Sequence, residues 1–265
     1  MKTSLNIGTG VLLILYTLTF TMCASQKNIP RSSWNKTPVQ INGDLSDWGD
    51  QLRFYDKPSK ILYSVLNDST NLYFCLRVSN KTMQMKILRA GMFIGLDTIG
   101  KKGKHISINY PLAGNVGFLK DDRTSRPNFD EQKREFKQNV QLMMLSGFNK
   151  NNGLVPLQVE NGVVVKLDWD QNNDMVYEMC IPFRSFRENN LLAADSNNLF
   201  SLNIIIPALE PPDFVRNGGG PPSGVGGRPG GGGPPSWATG GGGNEKLSLL
   251  LEEQTIYQKF FLKLQ

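Results

Sequence analysis

The chain has 265 residues, a hydrophobic share of 39% and a formal net charge of +6, which suits one large β domain or two small ones. Basic residues alternate with acidic ones, as in Lys120-Asp121-Asp122-Arg123 and Asp130-Glu131-Gln132-Lys133-Arg134-Glu135. That alternation reads as solvated surface and argues against a nucleic-acid-binding protein. A single histidine, His105, and the lack of a G-x-S-x-G sequence leave a nucleophilic triad without a candidate, and no Cys/His spacing suits a structural zinc.

Lys2 precedes the apolar run VLLILYTLTF, Val11 to Phe20, which has the length of a secretory signal core and falls short of the roughly 20 apolar residues that a spanning helix needs. Phe20-Thr21-Met22-Cys23 resembles a bacterial lipobox, in which the cysteine after the cleavage point receives the lipid. Met22 stands where that motif prefers Gly, Ala or Ser, and Phe20 where Leu is usual. Ordinary signal-peptidase cleavage after Ser25 is the competing reading. On the lipobox reading residues 1–22 are removed, Cys23 is the lipidation site, and residues 23–38, interrupted by Pro30, form a polar tether. The expected location is the cell envelope, lipid-anchored in the outer membrane of a Gram-negative bacterium.

The folded part is expected to start at Val39 and to run to residue 265. From there the sequence alternates in short runs bounded by turn formers, the mark of β-strands. In ILYSVLNDSTNLYFCLRVSN two apolar runs flank Asn67-Asp68-Ser69-Thr70, whose side chains favour a tight turn. Leu72, Phe74, Leu76 and Val78 then share one face, and Tyr73, Cys75 and Arg77 the other. Further strands are predicted over Met92 to Asp97, Ile106 to Tyr110, Val163 to Trp169, Met175 to Ile181 and Phe200 to Ile206, with Gln171-Asn172-Asn173 turning a second hairpin. Phe129 to Met144 reads two ways: Phe129, Phe136, Val140, Met143 and Met144 approximate a helical face, whereas VQLMML suits a strand.

Arg216 to Gly243 holds about half of the chain's 27 glycines and almost nothing apolar, so it is predicted to be a disordered Gly/Pro-rich insertion. No helix or Lys-Ser/Thr follows it, which argues against a phosphate cradle. Alternation resumes in IYQKFFLKLQ, Ile256 to Gln265, predicted as the last strand. Many short strands at regular turn spacing give an all-β expectation: a single antiparallel β-sandwich of jelly-roll type. Cys75 and Cys180 both fall in strands. They read as buried thiols or, in an oxidising compartment, as a disulfide.

Ile41-Asn42-Gly43-Asp44-Leu45-Ser46-Asp47-Trp48 is similar to the I-D-G-x-L-x-E-W opening of the family 9 carbohydrate-binding modules and their DOMON-like relatives. Asn71 to Val78, NLYFCLRV, resembles that group's N-L-Y-F-A-x-x-V strand. Met92 to Asp97 resembles its strand ending in Asp, and VYEMCIP, Val176 to Pro182, its Y-E-x-x-I-P strand. The resemblance spans residues 39–208 and implies a β-sandwich that binds sugar, often with structural calcium, or haem in some DOMON modules. It assigns a sugar platform to an exposed aromatic, Trp169 or Trp237. It assigns calcium to carboxylates such as Asp44 and Asp97, and haem to His105. Residue chemistry gives each a plainer role: packing for Trp169 and Trp48, turn capping for Asp44 and Asp97, and a surface position beside Lys104 for His105. A hydrolytic carboxylate pair, Asp168 or Asp170 with Glu178, depends on the fold bringing them together. The function expected from sequence is a non-catalytic envelope lipoprotein that binds polysaccharide. The alternative is a structural or protein-interaction lipoprotein with no glycan site, its partner another envelope protein.

Overall fold

The computed structural model describes residues 28–49, 52–98, 105–114, 129–209 and 248–265. Cys23, Trp237 and the segment 216–243 lie outside the described residues. The strands form two facing sheets of six. In the first, β1 (Ser33–Trp34) and β2 (Phe54–Asp56) both flank β3 (Ile61–Asn67), followed by β4 (Asn71–Val78), β10 (Met175–Pro182) and β9 (Val164–Trp169). The second runs β12 (Gln254–Phe261), β11 (Leu199–Ile206), β5 (Phe93–Asp97), β6 (Ile106–Asn109), β7 (Leu142–Ser146), β8 (Gly153–Pro156). Every pairing is antiparallel except that of β1 with β3. The expected β-sandwich is therefore present, with one short parallel exception.

The core lies between the sheets, where alternation puts Leu72, Phe74, Leu76 and Val78 of β4 opposite Ile94, Leu96, Leu202 and Ile204 of the second sheet. The β3–β4 turn is fixed by Asp68, whose carboxylate accepts from Thr70 N at 2.6 Å, Asn71 N at 2.7 Å and Tyr73 Oη at 2.7 Å. Burial pushes this carboxyl up, but the bonds from Tyr73, Thr70 and Asn71 outweigh it and hold the group below its ordinary value.

Helix α1 (Lys81–Ala90) is absent from the sequence expectation. Its signals are local: Asn80 accepts from Met83 N at 3.0 Å as N-cap, Met83 and Ile87 enter the core, and Gly91 ends it at φ 77°. A Cβ on Gly91 would lie 2.6 Å from Pro111 O, so the close approach also requires glycine. Both readings of 129–144 hold in part: helix α2 (Phe129–Asn139) gives way to β7 at Leu142.

The C-terminal run is the strand β12, paired along its whole length with β11. Its Ile256 and Phe260 are buried. The fold also begins earlier than Val39. Phe261 N donates to Pro30 O at 3.0 Å, Ser32 N to Phe261 O at 2.8 Å, and Asn35 N to Asn67 O at 3.0 Å, so Pro30 to Asn35 stitch the edge of one sheet to the edge of the other. Asn67 closes the stitch by donating to Lys263 O at 2.9 Å. On the opposite side, Val165 N donates to Leu157 O at 2.8 Å and joins the sheets again.

Candidate functional site

The two outer faces differ. Over the first sheet lies the segment around Ile41 to Trp48, where Val39, Trp48, Leu66, Tyr73 and Cys75 form a second apolar cluster. Glu178, fully buried on the outward side of β10, anchors it by accepting from Trp48 Nε1 at 2.7 Å, Asn42 N at 3.0 Å and Gly43 N. Burial raises the Glu178 carboxyl above its ordinary value of 4.5; the Trp48, Gly43 and Asn42 bonds oppose that rise and nearby Asp44 adds to it. With both oxygens committed, Glu178 has no role left as half of a hydrolytic pair. Gly43, at φ 91°, leaves only 2.8 Å between a built Cβ and Asp168 Cβ, so the turn seats closely on the sheet.

Trp48 is thus a core residue, as expected. Cys75 and Cys180 are free thiols in the same layer. Burial pushes Cys180 up to about 12 and Cys75 well above its ordinary value, so neither is a thiolate near neutral pH.

Trp169 ends β9 at the mouth of the core. It is half-buried, meets Phe136 edge-on at 5.9 Å and donates from Nε1 to Gln84 Oε1 at 3.0 Å. Lys133 and Lys137 approach its ring at 5.6 and 5.8 Å, and Lys137 pairs with Asp168. The ring is built into the junction of β9 with α1 and α2 rather than offered as a platform.

Asp44 caps the 3-10 turn Leu45–Trp48, accepting from Ser46 N at 3.0 Å. Asp97 lies on the outer face of the other sheet, with His105 Nε2 at 3.5 Å from its Oδ2. The fold therefore does not bring Asp44 and Asp97 to one ion. Among the described residues no three His, Cys, Asp or Glu side chains gather in a metal-binding group.

The outer face of the second sheet is where the sequence expectation missed most. Pairing places Ser146, Ser107, Gly95, Asn203 and Tyr257 side by side, one on each of β7, β6, β5, β11 and β12. A second row sets Asp97, Ser201 and Lys259 beside them. Alternation points all of these away from the core. Solvated sheet faces are polar as a rule, but here, Tyr257 and Lys259 on β12 apart, the side chains are short, and several are buried: Asp97 is 0% exposed, Ser201 1% and Asn203 5%. The Oδ1 atoms of Asn203 and of nearby Asn109 are buried acceptors with no hydrogen-bond donor among the described residues. Such groups are costly unless a partner arrives. Larger residues border the band: Leu154, Met144, Phe93 and Ile205 on one side, in a line that Asn109 interrupts, and Leu199 and Phe261 on the other. The result is a polar, acceptor-rich band bordered mostly by apolar side chains. The strand alternation F-I-G-L-D and L-F-S-L-N shows the polar positions in the sequence; only the register aligns them.

No family model and no curated protein matches the sequence. Among solved structures, the chain is similar to a family 9 carbohydrate-binding module from Caldicellulosiruptor kristjanssonii in complex with glucose, at 10% identity and a TM-score of 0.37, covering 89% of this chain and 95% of that one. It is also similar to a family 9 module from the same organism in complex with cellotriose, at 11% identity and a TM-score of 0.32, covering 67% of this chain and 76% of that one.

Proposed function

We propose that this protein is a non-catalytic glycan-binding module carried by an exported, lipid-anchored chain, and that the polar band of the second sheet is its binding face. The observation that carries the reading is the pair of buried acceptors, Asn203 Oδ1 and Asn109 Oδ1, set beside the half-buried rings of Phe93 and Tyr257. Sugars present hydroxyl donors on their edges and C–H surfaces on their faces, and this combination answers both. The four-part sequence resemblance to family 9 modules supports the same ligand class. Asp97 is the one carboxylate in the two rows of described residues, which offer no second carboxylate of a glycoside hydrolase beside it. The lipobox-like Cys23 supports attachment to an envelope membrane.

A glycan array followed by titration of Asn203→Ala and Tyr257→Ala tests the face, and each variant is expected to weaken binding at least about tenfold. Wild-type affinity in both variants would move the site elsewhere. In the same cells, Cys23→Ala is expected to stop incorporation of labelled fatty acid and to release the protein from membranes. Retention on the membrane would refute the anchor.

A further inference from the structure

We infer that the outer face of the first sheet carries a separate site for an acidic sugar, a uronate unit of an anionic glycan, with its ring stacked on Tyr55 and its carboxylate between Lys57 and Arg77. The sugar class rests on the glycan-binding reading of the module; the place and the charge do not. Among the residues whose side chains are described, Tyr55 is the one exposed aromatic, at 54%. An open ring of this kind offers a flat surface to the C–H face of a pyranose. Register puts Tyr55 in a row with Leu62 and Arg77, on β2, β3 and β4, which Val176 and Asp168 continue on β10 and β9. The layer built on Glu178 covers the far part of that row, where Val176 is buried and Gly43 packs on Asp168. It also covers the next row, where Ser64 and Cys75 are buried. It stops short of the near part, where Leu62 is half-buried and the Arg77 side chain is 32% exposed. The opening is a notch with Leu62 as its floor, Tyr55 on one side and Arg77 on the other. Two strand spacings of about 4.8 Å separate those two residues, which suits one sugar ring and not a run of several.

The charges around the notch favour an acid. Asp174 Oδ2 accepts from Arg77 Nε at 2.9 Å and lies 2.8 Å from Nη2, with Asp170 3.3 Å from the same Nη2. The guanidinium is thus held in one orientation, and its Nη1 has no partner among the described residues. Because Asp170 and Asp174 offset its charge, Arg77 acts here as a fixed donor, and the net positive charge comes from β2 and the turn that follows it. Arg53, Tyr55 and Lys57 are exposed there. Arg53 is engaged with Arg31 O and Ser33 Oγ, neither of which neutralises it. The Lys57 side chain makes no hydrogen bond or ion pair among the described residues. Asp56, the acid between Tyr55 and Lys57, is turned to the other side, where it accepts from Ser59 N at 2.9 Å and Ser59 Oγ at 2.6 Å. A carboxylate over Leu62 would therefore meet the Lys57 ammonium and the Arg77 Nη1 donor together, a charge-assisted pairing that a neutral sugar does not make.

Calorimetric titration of the full mature chain with trigalacturonate and trimannuronate, and with their methyl esters, which keep the rings and remove the charge, tests this. In the series that binds, the acid is expected to bind at least about fivefold tighter than its ester at low salt, with the margin shrinking as salt rises. Tyr55→Ala is expected to weaken the acid at least about tenfold, and Lys57→Ala about threefold while leaving the ester within about twofold. Both positions are exposed, so both variants are expected to keep the wild-type melting temperature. Asn203→Ala is expected to bind the acid as the wild type does. An ester bound as tightly as its acid, acid affinity unmoved by Tyr55→Ala, or silence of both acids overturns this site and leaves neutral-glycan binding on the second sheet standing. Tyr55-dependent binding of the acid, with neutral-glycan affinity unchanged in Asn203→Ala and Tyr257→Ala, would keep this site and remove the second-sheet face.

Discussion

The outer faces of the two sheets put their buried polar groups to opposite uses. On the first sheet, Glu178 is buried and every donor around it is spent: Trp48 Nε1, Asn42 N and Gly43 N all converge on its two oxygens. On the second, Asn203 is nearly as buried, yet its Oδ1 has no donor among the described residues. A satisfied buried group holds a layer of chain in place, whereas an unsatisfied one costs stability that a ligand can restore. Burial alone does not tell a structural polar residue from a functional one. The partner count does.

The comparison breaks if Glu178 proves dispensable. Glu178→Gln replaces one acceptor oxygen with an amide that faces donors, and is expected to cost roughly 3 kcal/mol in urea unfolding. The same variant carries a pH signature. Because the folded-state carboxyl of Glu178 lies above its ordinary value of 4.5, the folded protein holds a proton there that the unfolded chain has released. Wild-type stability relative to the Gln variant is therefore expected to fall as pH rises from about 4.5 through the raised value. A difference that grows with pH in that window would show that the bonds, not burial, dominate. Asp68 and Asp195, both held below the ordinary carboxylate value, act in the other direction: their contribution is complete above that value and is lost as pH falls through their lowered values.

The smaller effect sharpens the contrast by its sign. Asn203→Ala removes a buried acceptor that lacks a donor, so thermal and urea melts are expected to show stability unchanged or raised by up to about 1 kcal/mol. A loss of 2 kcal/mol or more would mean that Asn203 is part of the scaffold. Loss of sugar binding with retained stability is the pattern that distinguishes a ligand group from a packing group.

Much of the scaffold was legible in the sequence because strand alternation and turn chemistry are local. The β3–β4 hairpin around Asp68, the strand at Ile256 and the buried setting of Trp48 all follow from residues within a few positions of one another. Helix α1 was missed although Asn80 and Gly91 mark its ends, because its ten residues sit between two strong strands and carry polar residues such as Gln84 and Lys86 into buried positions. Lys86 makes sense only in three dimensions, where its Nζ donates to Leu249 O at 2.9 Å, far along the chain. The candidate face was illegible for a related reason. Asp97, Ser201 and Lys259 come from three separate stretches, and nothing short of the β5–β11–β12 register aligns them. The packing role that residue chemistry gives Trp169 agrees with its contacts to Phe136 and Gln84.

The stitch at Pro30 to Asn35 has a mechanical consequence. If lipid at Cys23 tethers the protein, the seven residue steps to Pro30 reach at most about 25 Å, so the module rides close to its membrane. Any pull between a bound polymer and that anchor enters the fold at the bonds linking Pro30 and Ser32 to Phe261. Those bonds join the incoming chain to β12, which is paired along its whole length with β11, so a force directed along the strands is shared across the register instead of opening it one bond at a time. The strand that receives the load also carries Tyr257 and Lys259, placing the point of traction and the proposed grip on the same segment of chain.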